Sequence, residues 1–126
     1  MSKENRVDTA NKFIKIISDH GRRFFEHKGE VGRFELKNGH IVWVCEYTKK
    51  HIHLSYQYWK FHHGGTMRHL INQLADFIRG KRELPLGCLG PWSETMCGGD
   101  LWGYGKDEMQ IVRDKCTSLN DVGLQL

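Results

Sequence analysis

At Arg22 the hydrophobic pattern of this 126-residue chain changes period, and no other feature restricts the possible folds as strongly. Beyond this point apolar side chains recur at every second position, the spacing of a strand with one buried face. Turn residues divide the alternating stretch, which predicts a four-stranded antiparallel meander. The strongest turn signal is Asn38–Gly39, because a type I′ hairpin needs a positive φ at both positions. The predicted strands are Arg22–Lys28, Val31–Lys37, His40–Tyr47 and His51–Trp59.

The two faces of this predicted sheet differ in composition. The second face alternates charged residues and histidines with Val42 and Val44, and it would lie open or under the C-terminal lobe. Val42, Val44 and Trp59 make this face more apolar than is usual for a solvent-exposed face, so it is also a candidate homodimer surface. The first face is a core face made of Phe34, Leu36, Ile41, Trp43, Cys45, Tyr47, Ile52, Leu54, Tyr56 and Tyr58.

Three helices are predicted around the sheet. After a frayed start, Asp8 or Thr9 caps a helix over Ala10–His20. A long amphipathic helix begins with Thr66 as N-cap and ends at Gly80, and we expect it to cover the apolar sheet face. A short final helix is predicted over Lys106–Leu119.

These elements predict an α+β fold in a single structural domain. Residues 1–83 would form an α-ββββ-α unit, and residues 84–126 a Gly/Trp-rich C-terminal lobe packed on it and ending in the short helix. No apolar run approaches the ~20 residues of a membrane span, and the N-terminus has no signal-peptide pattern. The sequence therefore predicts a soluble, cytosolic protein that binds no membrane.

Catalytic and metal-binding motifs are not visible in the sequence. Cys45, Cys88, Cys97 and Cys116 form no CxxC pair, so we expect reduced, partly buried thiols rather than zinc ligands. No GxSxG sequence or marked nucleophile–histidine arrangement occurs. We therefore expect a non-enzymatic protein with no cofactor and no metal.

The basic residues are unevenly distributed. Residues 1–80 carry a net charge of +6 and all eight histidines, whereas residues 81–126 carry −2. Aromatic residues are interleaved with the basic ones, a combination that holds single-stranded nucleic acid, and Trp59 and Phe25 are the candidates for base stacking. The alternative is ordinary surface charge over a core of aromatic residues.

A turn with two glycines offers a second set of phosphate contacts. Gly64, Gly65 and Thr66 open a helix whose free N–H groups can face an anion, with His63 and Arg68 beside them. The simpler explanation is a strand-to-helix turn in which glycine only supplies a positive φ. The predicted nucleic-acid or phosphate contacts are Arg22, Arg23, Arg33, Lys37, Trp59, His63, Gly64, Gly65, Thr66 and Arg68.

The histidines of the predicted sheet allow a further interpretation. Alternation places His51 and His53 on one face with His40 nearby. Three imidazoles can bind a metal, or they can pair with Glu35 or Glu46 as acid–base groups. Solvent-exposed histidines on a half-polar face are the simpler explanation.

Several stretches resemble small, uncharacterised accessory proteins of tailed bacteriophages. The resemblance covers about half of the chain, including a GRRFF strand start at 21–25 and an HGGTxR helix start at 63–68. It implies a phage protein that acts in the host cytoplasm and inhibits or redirects host machinery, or blunts host defence. The order of four strands and a helix is also similar to Pur-type and Whirly-type single-strand binders, an analogy of fold only.

Three functions follow as expectations. The first is a phage protein that binds a phosphate-bearing ligand, with nucleic acid favoured. The second is an inhibitor that binds a host or defence protein through Trp92, Trp102 and Tyr104, since interface hot spots are rich in these residue types. The third is a sponge for a small nucleotide that binds at Gly64, Gly65, Thr66 and Arg68.

Overall fold

The computed structural model describes residues 2–20, 24–54, 65–90 and 106–124. Within them, helices and antiparallel sheets form an α+β fold, as predicted. The helices are α1 (Lys3–Asp19), α2 (Gly65–Ile78) and α3 (Lys106–Leu124), with a 3-10 turn at Leu86–Leu89. The strands are β1 (Glu26–His27), β2 (Glu30–Val31), β3 (Arg33–Lys37), β4 (His40–Val44) and β5 (His51–His53).

The predicted hairpin turn is confirmed. Asn38 and Gly39 have φ values of 51° and 79°, and Lys37 pairs with His40 on either side of them. Both central residues therefore have the positive φ that a two-residue hairpin turn requires. The turn between β1 and β2 likewise has a positive φ at both of its central residues, Lys28 and Gly29.

A four-stranded meander is not confirmed, because the strands divide into two sheets. β1 and β2 form a two-stranded sheet, whereas β3, β4 and β5 form a three-stranded sheet in that order. Phe25 adopts a φ of 67° just before β1, and its carbonyl accepts a 2.8 Å hydrogen bond from the Gly32 N–H. The Phe25–Gly32 bond continues the pairing of the small hairpin by one step, and the positive φ of Phe25 ends it there. Residues 55–59 of the last predicted strand lie outside the described residues.

The apolar face of the three-stranded sheet is a core face, with one exception. Tyr47 is 48% exposed because β4 ends at Val44 and the chain enters a turn, in which the Lys49 N–H donates to the Cys45 carbonyl. The strict alternation that predicted a buried Tyr47 therefore stops too early to bury it. Tyr56 and Tyr58 lie outside the described residues. Leu36 is partly buried and packs against the core. The predicted face residues that are buried are Phe34, Ile41, Trp43, Cys45, Ile52 and Leu54.

The second face of the sheet is partly covered. Val42 is completely buried and Val44 nearly so within a single chain. The homodimer prediction required these valines to be exposed apolar surface, and they are buried. Trp59, the third residue of that argument, lies outside the described residues.

Helix α1 begins much earlier than predicted, at Lys3 instead of Ala10. Its N-cap is Ser2, whose hydroxyl accepts a 3.1 Å hydrogen bond from the Asn5 N–H, so neither Asp8 nor Thr9 is the cap. The first turns are held by tertiary contacts. Arg6 Nε donates a 2.8 Å hydrogen bond to the Ile78 carbonyl at the end of α2. This bond satisfies a carbonyl that a helix C-terminus leaves without an internal partner.

Helix α1 also takes the position next to the sheet that was expected for α2. It packs along β3 on one side and against α2 and α3 on others. Asn11 joins it to β3, because its Nδ2 donates to the Phe34 carbonyl at 3.0 Å and its Oδ1 accepts from the Phe34 N–H at 2.6 Å. An asparagine side chain thus occupies the free edge of the sheet, where another strand would otherwise pair.

Helix α2 has the apolar stripe expected of an amphipathic helix, and it ends at Gly80, as predicted. It begins at Gly65, so Thr66 lies inside its first turn and is not the N-cap. Gly80 has a φ of 81°, its N–H donates to the Phe77 carbonyl, and the Lys81 N–H donates to the Asp76 carbonyl. These two bonds define a Schellman motif. The buried residues of the stripe are Leu70, Ile71, Leu74, Phe77 and Ile78.

Helix α3 extends the predicted final helix to Leu124. Its Met109, Val112 and Cys116 are fully buried in the same hydrophobic cluster as α1, α2 and the sheet. Across this junction, Arg113 Nη1 donates to the Leu89 carbonyl at 3.2 Å and so ties α3 to the 3-10 turn. No described helix is long and apolar enough to cross a bilayer.

Candidate phosphate-binding groove

The predicted phosphate contacts fall into two groups. Arg33, Lys37 and Arg68 have described side chains, and only the backbone of Gly65 and Thr66 is described, in the first turn of α2. Arg22, Arg23, Trp59, His63 and Gly64 lie outside the described residues. So do the predicted interface residues Trp92, Trp102 and Tyr104.

Arg33 is exposed at the start of β3, and its guanidinium is held along the strand. Its Nε and Nη2 both donate to Glu35 Oε2, at 2.8 and 2.7 Å. The two residues are two apart on a strand and so share a face. An exposed pair of this kind contributes at most about 1 kcal/mol to stability, so an anionic ligand can compete with Glu35 for the guanidinium.

A groove of about 440 Å³ lies between α1 and the segment that joins β2 to β3. Three cationic side chains line it, Lys12 and Lys15 from the helix and Arg33 from the strand, against one carboxylate, Asp8. The Asn11 bonds to Phe34 hold the helix at the strand and thereby set the width of the groove. Helix and strand thus bring together cations that are distant in sequence.

The groove includes cations that the sequence analysis missed. Lys12 and Lys15 are three positions apart, a spacing that places them on one helix face, but the sequence does not show which face turns toward β3. Lys15 forms an ion pair with Asp19, whereas Lys12 has no ion pair within the described residues. Lys37 and Arg68 do not line the groove.

A second pocket, of about 530 Å³, lies on the polar face of the three-stranded sheet. Arg33 and Val31 line this pocket as well as the groove. Lys49 forms an ion pair with Glu30 here, and it also donates to the Glu46 carbonyl at 3.0 Å. The lining residues are Glu30, Val31, Arg33, Val44, Lys49 and His51.

The sheet histidines share one face, as predicted, but the stacking candidate is not exposed. His51 and His53 are opposite Val44 and Val42, and His40 lies on the same face, two residues before Val42 and opposite Lys37. In the described ranges, no group of three or more His, Cys, Asp or Glu residues is placed to hold a metal ion. Phe25 is buried against Trp43, with ring centroids 5.8 Å apart, and so offers no surface for a base.

The described cysteines are free thiols, and we expect them to differ in reactivity. Burial raises the pKa of Cys116 to about 12, and it also raises that of half-buried Cys88, although nearby Arg82 partly offsets the effect. At pH 8, only about one Cys116 thiol in ten thousand would be the reactive thiolate. Iodoacetamide should therefore label Cys88 before Cys116, and Cys116 only after unfolding, as peptide mass spectrometry would show. Equal labelling rates in the folded protein would contradict this assignment.

Comparison with known proteins points to one family. No curated protein and no solved structure matches the chain. A family model described as YoqU, a phage-type protein name, matches residues 1–123. The phage resemblance is thus supported at the level of a family, although the GRRFF and HGGTxR motifs are not confirmed. Because the match spans almost the entire sequence, the chain belongs to the YoqU family.

Proposed function

We propose that this YoqU-family protein is a non-enzymatic phage accessory protein that acts in the host cytoplasm by binding nucleic acid through its phosphates. The observation that carries the proposal is the groove between α1 and β3, where Lys12, Lys15 and Arg33 converge against one carboxylate. The phage-type family name and the basic first eighty residues support it.

The groove suits a phosphate backbone better than a base. Its charged side chains are long and exposed, so they can follow phosphates without reading sequence. Lys15 and Arg33 already have carboxylate partners, Asp19 and Glu35, and both pairs are exposed. Phosphates can replace these weak partners at little cost, because surface ion pairs contribute about 0–1 kcal/mol. The expected binding is sequence-independent and strongly dependent on salt.

Paired charge variants test the groove. We expect Lys12→Gln/Arg33→Gln to weaken binding to a labelled single-stranded oligonucleotide about tenfold at low salt. The slope of log affinity against log salt should fall by about 1.4, since each lost contact to a single strand removes about 0.7. Fluorescence anisotropy over a salt series measures both quantities.

The matched control is Lys81→Gln/Arg82→Gln, which removes one lysine and one arginine from exposed positions that do not line the groove. It should leave affinity and slope close to those of the unaltered protein. Equal losses of affinity in both double variants would mean that the oligonucleotide is attracted by the net charge of the protein alone. Salt-independent binding would rule out the proposal.

Two alternatives predict other results with the same protein. A small-nucleotide sponge that uses Gly64, Gly65, Thr66 and Arg68 would show a thermal shift with mononucleotides and none with long oligonucleotides. An inhibitor of a host or defence protein would show neither response. The oligonucleotide and mononucleotide titrations therefore separate the three functions.

A further inference from the structure

We propose that Tyr47 is the stacking site for a base of a single nucleic-acid strand whose phosphates lie in the groove between α1 and β3. The inference rests on the proposed function and adds a specificity to it, because a base can stack on a side chain only where it is not already stacked within a duplex. Phosphate contacts alone carry no such requirement.

Tyr47 differs from the other aromatic residues of the sheet region in its exposure. It is 48% exposed, whereas Phe25, Phe34 and Trp43 are at most 2% exposed. Within the described part of the chain, the exposed large hydrophobic residues are Tyr47 and Ile111. An exposed aromatic ring beside a basic groove is the combination that holds single strands without reading their sequence.

The turn that carries Tyr47 is held in place by the backbone and by a neighbouring ring. The Cys45 N–H donates to the Lys50 carbonyl at 3.0 Å, and the Lys49 N–H donates to the Cys45 carbonyl at 2.9 Å. The ring of His27, in β1, contacts that of Tyr47, with centroids 4.6 Å apart. A ring that is already fixed loses little conformational entropy when a base stacks on it.

The second pocket joins the groove to this turn. Val31 and Arg33 line both the groove and the second pocket, so the two concave surfaces adjoin. The lining of the second pocket extends to Lys49, two residues after Tyr47. A strand whose phosphates contact Arg33 can therefore follow the protein surface to Tyr47.

The surface around Tyr47 is basic. Lys49 and Lys50 follow it in the same turn, and Lys28 lies in the turn between β1 and β2; all three lysines are exposed. Glu30 is the exposed carboxylate beside them, and it is paired with Lys49. Neither Lys28 nor Lys50 has an ion pair within the described ranges. These two lysines are available to the phosphates that flank a stacked base.

Substitution of Tyr47 tests the stacking site. Tyr47→Ala should weaken binding to a labelled single-stranded oligonucleotide about tenfold, which is within the usual loss for one stacked base. The slope of log affinity against log salt should stay the same, because no phosphate contact is removed. Tyr47→Phe retains the ring and should bind within about twofold of the unaltered protein. The matched control is Ile111→Ala, which truncates the other exposed hydrophobic residue and should have no effect.

A strand without bases tests the same contact from the side of the ligand. An abasic oligonucleotide of equal length should bind the unaltered protein about tenfold more weakly than the normal strand. Tyr47→Ala should not weaken its binding further, because both changes remove one and the same contact. Binding of a duplex should also be insensitive to Tyr47→Ala, since its bases are stacked on one another.

Photocrosslinking gives a readout that does not depend on the stability of any variant. An oligonucleotide that contains iodouracil should crosslink to Tyr47 in the unaltered protein, as peptide mass spectrometry of the product would show. Crosslinks confined to other residues would overturn the inference.

The binding measurements separate failure of this inference from failure of the proposed function. Salt-dependent binding of single strands that Tyr47→Ala leaves unchanged would overturn stacking at Tyr47 and retain the groove. Equal losses in Tyr47→Ala and Tyr47→Phe, or equal affinity for normal and abasic strands, would also overturn stacking alone. If no oligonucleotide binds, both proposals are wrong.

Discussion

Replacing Gly32 by alanine should destabilise the protein by about 3 kcal/mol or more, which is the largest effect we expect from any single change. Gly32 lies between β2 and β3. A Cβ atom there would be 2.6 Å from Glu46 Oε2 and 2.9 Å from Trp43 Cη2, and closer still to Trp43 Cζ2. These distances are far shorter than van der Waals contact.

The side chains around Gly32 cannot easily move aside. Trp43 is almost completely buried between Phe25 and Phe34, with ring centroids 5.8 and 5.0 Å away in edge-to-face arrangements. Glu46 is also buried. Close-packed interiors respond to an added methyl group by shifting backbone or side chains, which costs free energy. Thermal unfolding should show a fall in Tm of about 10 °C or more.

Two further variants make this prediction specific. Gly87→Ala adds the same methyl group where nothing lies within 4 Å, and it should change stability by at most about 0.5 kcal/mol. Gly32→Ala/Trp43→Phe removes the indole atoms that clash, so its cost should be less than the sum of the two single changes. Additive costs would show that the clash with Trp43 is not the cause.

Replacing Asn11 by alanine should cost about 2–3 kcal/mol, the second largest effect. The change removes both hydrogen bonds to the Phe34 backbone, at 2.6 and 3.0 Å. The Phe34 N–H and C=O would then remain at the edge of β3, beneath α1, without partners, and each such group costs about 1–3 kcal/mol when buried. Chemical denaturation measures the loss, and hydrogen exchange should show the Phe34 amide losing its protection.

Asn5→Ala is the matched control for Asn11→Ala. Asn5 is exposed on the same helix, so the change has a similar effect on helix propensity, but within the described residues its side chain makes no hydrogen bond to the sheet. We expect it to leave stability unchanged or slightly raised. A similar loss in both variants would mean that Asn11 acts only through the helix.

Part of the core could be predicted because it depends on neighbours close in sequence. Alternation identified Phe34, Trp43 and Ile52 as buried. The same reasoning failed at Tyr47, because a turn beginning at Cys45 interrupts the alternation. Gly32 did carry a signal, since an isolated glycine in a strand pattern marks a bulge or a close approach of another group. Only the structure shows that the approaching groups are Trp43 and Glu46.

The candidate sites were less predictable than the core. Arg33 was identified from charge and alternation, but its neighbours Lys12 and Lys15 come from a helix that was expected to begin elsewhere and to lie elsewhere. Their role depends on Asn11, whose side chain joins α1 to β3. Nothing in the local pattern of α1 distinguishes this asparagine from an ordinary exposed one.

The sequence by itself determined the class of fold, the Asn38–Gly39 hairpin, the C-terminal end of α2 and the apolar stripes, because each follows from residues within a few positions of one another. Tertiary structure alone decided which helix lies along β3, that Val42 and Glu46 are buried, and that cations from α1 and β3 share a groove. The physical reason is that periodicity shows that a face is apolar or charged, whereas what covers that face is decided by packing between distant segments.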